Sequence, residues 1–520
     1  MKSSLLIGMF IAAQVGYSME DIQLWDGNQI SNWWSNTGRI TSHIPSGDAG
    51  LTWPKDSSTT AIFCGGFWLL AGRVDGVEEI RTAIVDYTSE FTPGLLADTM
   101  DNDSNRIYTL TSEDGPSSQD WQSWPVQQGA PWIDEDNNGE WNPDIDTPAI
   151  KGDQFAWSVM HDGYQPNHAN YYNTQPLGVE VRTSVYGVDQ SGPLGNTIYY
   201  EWDIKNAGEH QLDSVFVCVW MDPDIGSAID DYAGTDPELD MAYAFNAGEN
   251  DRDYGHTPPA VGFAFIRTPL IPATGETGYN VHGEVPNTQN VDMSSMLVWR
   301  CGDAILCGPD NRQEAYWQMH GIDNNGDPIV SPQGDTTSFM YTGFPETNSG
   351  WLDDGGNPGG DRYFLLSAGP FSLTPGESQD LIGALSLTAD TNHTSAVAML
   401  RTQMATVSDY WATAFETTSI NASSWVQPST PYLKQNYPNP FNPSTNIKYT
   451  IPQDLDVVFT IFDIKGREVK YWIKEDQQAG SYQLDWNGLN QHGQQVATGV
   501  YFGHLQAGEY QRTIKMVLIR

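Results

Sequence analysis

Between residues 19 and 417 the large apolar side chains recur mostly at every second position. Val179/Val181/Val185, Ile198/Tyr200/Trp202/Ile204 and Val215/Val217/Val219 each gather on one side of an extended chain, because successive strand residues point to opposite faces. The run Thr59 to Leu70 is apolar almost throughout and contains Gly65-Gly66, the pattern of a strand buried on both faces and bent at the glycines. Arg362 to Leu366 and Leu373 to Leu387 predict two more strands around a tight Pro375-Gly376 turn. Asn206-Ala207-Gly208-Glu209-His210 reads as a hairpin connection between its flanking strands. Such a succession predicts large antiparallel sheets packed face to face, a β-sandwich type of body. A helical stripe stands out at one place, Val397, Leu400, Met404, Val407, Trp411 and Ala414, and Thr394 or Ser395 is its expected cap.

From residue 433 the alternating runs become short: Ile447/Tyr449/Ile451, Val457/Phe459/Ile461, Tyr482/Leu484/Trp486, Val500/Phe502 and Ile514/Met516/Leu518. Turn residues separate them at Asp463-Ile464-Lys465-Gly466, Ala479-Gly480, Asn487-Gly488, His492-Gly493 and Ala507-Gly508. Residues 433–520 therefore predict a small immunoglobulin-like sandwich of about seven strands. Three prolines in Asn436 to Pro443 make an extended lead-in to it, and the Ser, Thr, Asn and Pro of residues 418–432 read as a linker.

The Pro438-Asn439-Pro440 lead-in, Lys465-Gly466 with Val469, Gly499-Val500-Tyr501 and a closing basic-apolar strand with Lys515 follow one another in this order. Residues 433–520 thereby resemble the C-terminal type A sorting domain of type IX (Por) secretion substrates. The resemblance implies export across an outer membrane, the type IX secretion machinery as partner, and retention at the cell surface or release. Trp53-Pro54-Lys55, Asp222-Pro223-Asp224-Ile225-Gly226 and Ser367-Ala368-Gly369-Pro370-Phe371 are similar to phrases of large exported proteins carrying the same module, a similarity that implies no activity. The other end of the chain agrees. Lys2 followed by Leu5 to Ala13 is a charged start and an apolar core too short to span a bilayer, with Gly16 and Ser18 placed for cleavage. Residues 1–18 are thus an expected signal peptide, and the expected destination is the outer surface or the medium, via the periplasm. No later stretch approaches about 18 apolar residues, so no membrane span is expected after signal removal.

Charge sharpens the division. The chain holds 24 Lys+Arg and 66 Asp+Glu, net −42. Residues 433–520 hold 9 basic against 8 acidic groups, leaving 15 against 58, a net of −43, in the remainder. Such a passenger repels nucleic acid and anionic lipid and attracts cations; adaptation to salty water would produce the same composition. Four cysteines allow three full pairings in an oxidising compartment: Cys301 and Cys307 could close a small loop, while Cys64 and Cys218 sit in apolar runs as buried thiols or a bridge.

The charge is concentrated where chemistry is conceivable. In Asp134-Glu135-Asp136-Asn137-Asn138-Gly139, oxygen-bearing side chains at positions one, three and five with glycine at six are what a calcium ion collects from a short turn. Asp134, Asp136 and Asn138 are the expected ligands. Ile145 stands where an EF-hand has its glutamate, so Asp144 or Asp146 would complete the shell; an ion-free Asx-turn loop is the alternative. A second group, Asp222, Asp224, Asp230 and Asp231, with Asp236 and Glu238 nearby, follows a strand and would repel itself unless a cation or backbone donors intervene. Structural calcium is the expected occupant there too, against a solvated acidic loop or a glycosidase carboxylate pair. Asp323-Asn324-Asn325-Gly326-Asp327 echoes the first loop as a plain turn.

The familiar nucleophile, metalloprotease, phosphate-loop and Cys-x-x-Cys signatures are missing. His161 and His168 are the nearest histidine pair in the passenger, at a spacing that fits no helical face. Tryptophans in polar loops, Trp33, Trp34, Trp121, Trp124, Trp132, Trp141 and Trp351, could serve as platforms for an extracellular glycan, or as anchors. The expected function is a secreted or surface-attached, calcium-stabilised structural or binding protein, the rivals being a polysaccharide hydrolase and a glycan binder, and the missing motifs leave catalysis open because catalytic groups assemble from distant segments.

Overall fold

The structure, a computed structural model, describes residues 20–43, 46–98, 103–300, 303, 305–353, 359–415, 432–433, 436, 441–451, 455–477, 480–508 and 510–519. The expected signal segment, nearly all of the expected linker, Cys301 and the Pro438-Asn439-Pro440 lead-in lie outside these residues. The chain divides into two compact units, Met1–Asn421 and Ala422–Arg520.

Two antiparallel sheets organise the first unit. The nine-stranded sheet runs Asp231–Asp236, Met241–Asn246, Ala260–Arg267, Ser378–Thr388, Thr197–Asn206, Val179–Gly187, Gln154–His161 and Thr92–Pro93, with Tyr108–Thr111 also paired to Gln154–His161. The six-stranded sheet runs Met293–Arg300, Arg362–Leu373, Leu212–Asp222, Cys64–Val74 and Arg39–Thr41, with Val77–Ala83 paired to Cys64–Val74. Their facing sides share one core, in which Val181, Val185, Tyr200, Trp202 and Phe263 meet Phe67, Leu69, Val217 and Val219. Phe67 stacks on Trp202 across the layers at a centroid distance of 5.3 Å. The alternation read from the sequence is thus the alternation of this core.

The other face of the nine-stranded sheet is covered as well. Val397, Leu400, Met404, Val407 and Trp411 of the helix His393–Ala414 pack with Tyr186, Tyr199, Tyr243, Ile382 and Ala384 in a second cluster. Burial on both faces explains why every residue of Val179–Gly187 is buried. Asn392, rather than Thr394 or Ser395, caps this helix: its side chain accepts from the Thr394 and Ser395 N–H groups, and Ser395 bonds back in a capping box. A second, eight-residue helix, Arg312–Met319, has too polar a pattern to show a stripe and is capped by Asn311.

Three local expectations change in the tertiary context. Asn206 to His210 is no hairpin: Thr197–Asn206 belongs to the nine-stranded sheet and Leu212–Asp222 to the six-stranded one, so the segment arches from layer to layer. The Pro375-Gly376 turn makes the same crossing between Arg362–Leu373 and Ser378–Thr388. Both sides of Thr197–Asn206 are already occupied by Val179–Gly187 and Ser378–Thr388, leaving no edge for the next strand. Near the front, the apolar run breaks at Phe63, where Thr60–Ile62 gives way to Cys64–Val74. Gly65 and Gly66 lie inside the second strand and permit close approach: a Cβ on Gly66 would stand 2.2 Å from the Val85 carbonyl oxygen. Cys64 and Cys218 are buried free thiols, and Cys307 is free.

The second unit is a seven-stranded immunoglobulin-like sandwich in its described residues. Tyr432–Leu433, Thr445–Ile451 and Gly480–Trp486 form one sheet; Glu468–Gln477, Leu455–Asp463, Gly499–Ala507 and Tyr510–Leu518 form the other. Ile447, Phe459, Trp486, Leu505 and Met516 fill the space between them. Among the described residues no helix is long and apolar enough to cross a membrane.

Candidate metal centres

The first acidic loop is closed by a short antiparallel pair, Trp132–Ile133 with Thr147–Pro148. Inside it the carboxylates serve the backbone. Asp134 accepts the Asn138 N–H at 3.1 Å and the Gly139 N–H at 2.7 Å, and Asp146 accepts from Glu135 at 3.0 Å and Asn142 at 2.7 Å. Asn137 and Gly139 take left-handed backbone angles, φ 57° and 76°, which turn the chain back on itself. Asp134, Asp136 and Asp146 each bring one oxygen to within 4.8 Å of the others. Asp146, buried, completes the trio, while exposed Asp144 stands outside it. The Asn138 side-chain oxygen is engaged by the Glu140 N–H at 2.6 Å.

The second centre is assembled differently from what local spacing suggests. Asp222 ends its strand, and Asp361 stands just before Arg362–Leu373, the neighbouring strand in the same sheet, where Met221 pairs with Phe364. Asp222, Asp224 and Asp361 bring one oxygen each to within 4.8 Å of one another. Asp222 is only 3% exposed. Its Oδ2 accepts the Tyr87 hydroxyl at 3.1 Å and the Cys64 thiol at 3.9 Å, and Asp361 Oδ2 accepts the Tyr363 hydroxyl at 3.3 Å. Asp222 Oδ1 and Asp361 Oδ1 are buried and accept no hydrogen bond among the described residues. Burial, then the Asp224 and Asp361 charges, pushes the Asp222 carboxyl up to about 8; burial, then Asp361, pushes Asp224 up to about 6. Burial followed by the Asp222 charge also raises the Cys64 thiol and the Tyr87 phenol.

Asp230 and Asp231 are not in this trio. Asp231 is buried and turns its Oδ2 to the Ile225 N–H at 3.2 Å, closing the loop from within. Asp361 could not be found from spacing, since only sheet order makes it a neighbour of Asp222.

A third buried cluster gathers around His168, whose acidic partners the spacing does not indicate. His168, fully buried, places Nδ1 3.5 Å from Glu90 Oε1 and Nε2 3.7 Å from Asp162 Oδ2. Asp162 also accepts the Leu177, Gly178 and Val179 N–H groups, and Glu90 accepts that of Ile84. Asp162 lies only six residues before His168, whereas Glu90 comes from a distant stretch of the chain. The tryptophans expected in loops are not all there: Trp33 and Trp34 lie in the strand Ser31–Ser35, Trp132 in the strand Trp132–Ile133 and Trp121 in the short helix Gln119–Gln122; Trp34 and Trp124 are buried and the other five half-buried. Trp121 donates to the Pro143 carbonyl at 3.0 Å, and Trp132 meets Trp141 edge to face at 5.7 Å, pinning the first loop to the helix-side core.

Fold and sites together define a mainly β protein with two carboxylate trios in its first unit and an immunoglobulin-like second unit. Residues 442–514 match the family model of the FlgD Ig-like domain. No curated protein matches the chain. Among solved structures the chain is similar to a polysaccharide lyase, at 11% identity and a TM-score of 0.17, covering 65% of this chain and 34% of that one. It is similar to dimeric latent PorU from Porphyromonas gingivalis, at 10% and 0.17, covering 70% and 31%. It is also similar to PorZ, a surface component of the type IX secretion system of that organism, at 15% and 0.14, covering 72% and 42%. The chain therefore spans less than half the length of each, and TM-scores this low say nothing about activity.

Proposed function

We propose that this is an exported protein, carried to the cell surface or the medium by type IX secretion, with residues 433–520 as its sorting module. Residues 19–417 are then a cation-stabilised structural or binding passenger. The observation that carries the reading is the ordered set of sorting-type motifs on one separate immunoglobulin-like unit. Lys465 and Gly466 form the turn between Leu455–Asp463 and Glu468–Gln477, where Asp463 Oδ1 accepts the Lys465 and Arg467 N–H groups. Gly499 opens a strand in which the Tyr501 hydroxyl donates to the Ala497 carbonyl and its ring meets Trp486 edge to face at 5.1 Å. Lys515 lies on the closing strand opposite Phe502. The charge contrast, −43 against +1, supports a passenger and a module with separate duties.

Removing residues 433–520 should leave the passenger in the periplasm of a type IX-competent host, and fusing them to a neutral reporter with a signal peptide should bring the reporter to the surface. Surface delivery of the truncated passenger would overturn the reading.

Calcium in the Asp134–Asp146 loop belongs to the same proposal. Extracellular calcium modules work at about 10⁻⁴–10⁻³ M affinity, and binding the native state alone at a hundredfold excess over Kd adds about 2.7 kcal/mol. Melting temperature should rise with millimolar calcium, less with magnesium, and the rise should shrink in Asp134→Ala/Asp136→Ala. An equal rise in wild type and double variant would mean the loop is an ion-free chain of Asx turns.

A further inference from the structure

The two acidic centres differ in what occupies their oxygens. In the Asp134–Asp146 loop the carboxylates take up the loop's own N–H groups. In the segment after Asp222 that work falls to others: Asp231 accepts the Ile225 N–H, and Asp251 accepts those of Ser227, Asp253 and Tyr254. Gly226 fits there because its φ is +67° and a Cβ would stand 2.0 Å from Asp251 Oδ1. The segment is folded without help from Asp222 and Asp224, whose carboxylates converge on Asp361 instead.

An ionised carboxylate is not left buried without a partner, since the transfer from water is very unfavourable unless an opposite charge or several donors compensate. Each of Asp222 and Asp361 has one oxygen held by a tyrosine hydroxyl and one buried oxygen with no hydrogen bond among the described residues. Oxygens bound to one calcium at 2.3–2.6 Å can lie at most about 5 Å apart, and the three carboxylates satisfy that limit at 4.8 Å. We propose that Asp222, Asp224 and Asp361 bind a hard divalent cation, calcium before magnesium, as a centre separate from the Asp134–Asp146 loop. The ion ties the end of Leu212–Asp222 to the start of Arg362–Leu373, adjacent strands of the six-stranded sheet. Water would complete the shell, since one oxygen each of Asp222 and Asp361 is already engaged by Tyr87 and Tyr363. The need for oxygen ligands alone, with Cys64 kept at 3.9 Å from Asp222 as a thiol donor, favours calcium over thiophilic metals.

Calorimetric titration of calcium chloride into the chelator-treated full chain carrying Asp134→Ala/Asp136→Ala isolates this centre from the loop. One calcium per chain is expected, with affinity at least about 10-fold weaker once Asp361→Asn is added. Terbium provides a second readout, its emission sensitised by Trp220, whose ring lies 5.8 Å from Tyr87 and 6.0 Å from Tyr363. Asp361→Asn keeps the shape and relieves repulsion, so without metal it should melt at or above the parent while losing the calcium-dependent rise. Absence of calcium binding in the loop variant, binding unchanged by Asp361→Asn, or a lower metal-free melting temperature for Asp361→Asn would each overturn the centre. None of these outcomes bears on the export reading or on the loop, which have their own tests.

Discussion

Replacing His168 with alanine should destabilise the first unit by about 3–5 kcal/mol, the range for breaking a buried charge cluster by removing one partner. The imidazole is fully buried between Glu90 and Asp162, and without it two carboxylates face each other's neighbourhood with no cation. Burial by itself lowers the His168 pKa, but the Glu90 hydrogen bond and the Asp162 and Glu90 charges outweigh it and hold the ring above the ordinary histidine range. A folded-state pKa above the unfolded value stabilises the fold fully below about pH 6.5 and loses that contribution as pH rises through the folded pKa. Glu90 and Asp162, both raised chiefly by burial, act in the same direction. Stability at fixed ionic strength should therefore fall as pH rises above about 6.5, the ordinary histidine value. Nitrogen chemical shifts report the charge directly: a neutral His168 ring at pH 7 in the folded protein would refute the paired arrangement.

Asn206→Ala should cost about 2–4 kcal/mol, because this residue joins the two arches that cross between the sheets. Its side chain donates to the His210 carbonyl at 2.8 Å and the Leu373 carbonyl at 2.9 Å, and accepts the Gly208 N–H at 3.1 Å. Its backbone bonds to Glu377 and Gly376 in the other arch at 2.9 and 2.8 Å. Asn206 and Leu373 are fully buried, so truncation leaves the Leu373 carbonyl without this donor at about 1–3 kcal/mol and removes two part-buried hydrogen bonds at about 0.5–1.5 kcal/mol each. Asn206→Asp keeps the acceptor but loses both donors and should fare no better. Urea denaturation with an unchanged slope and a lowered midpoint is the expected signature; a loss under about 1 kcal/mol would mean the arches are held by their strands alone.

These two residues mark where local reading stops. Asn206 has the composition of a hairpin turn, and an arch between layers needs the same turn residues. The difference lies in whether Thr197–Asn206 has a free edge, which depends on strands as far away as Ser378–Thr388. His168 carries no periodic signal, and although Asp162 is only six residues away, Glu90 reaches it from a distant segment that only the fold brings near. Asp361 likewise precedes a strand in an ordinary way and becomes a site residue through pairing with Leu212–Asp222.

The sequence by itself determined the local geometry. The two-residue period assigned Ile198, Tyr200, Trp202 and Ile204 to one face, the three-to-four spacing from Val397 to Trp411 set the helix, and turn residues marked out seven short strands after residue 433. Side-chain direction follows from backbone angles a few residues long, so these features need no knowledge of the rest of the chain. The Asp134–Asp146 loop was legible for the same reason, its oxygens all lying in one turn. Only the tertiary structure decided which strands pair, which layer each enters, that Asp146 rather than Asp144 completes the first trio, and that Asp361 rather than Asp230 or Asp231 joins Asp222 and Asp224. Those choices depend on burying both faces of the nine-stranded sheet at once, a condition on the whole unit that no single stretch contains.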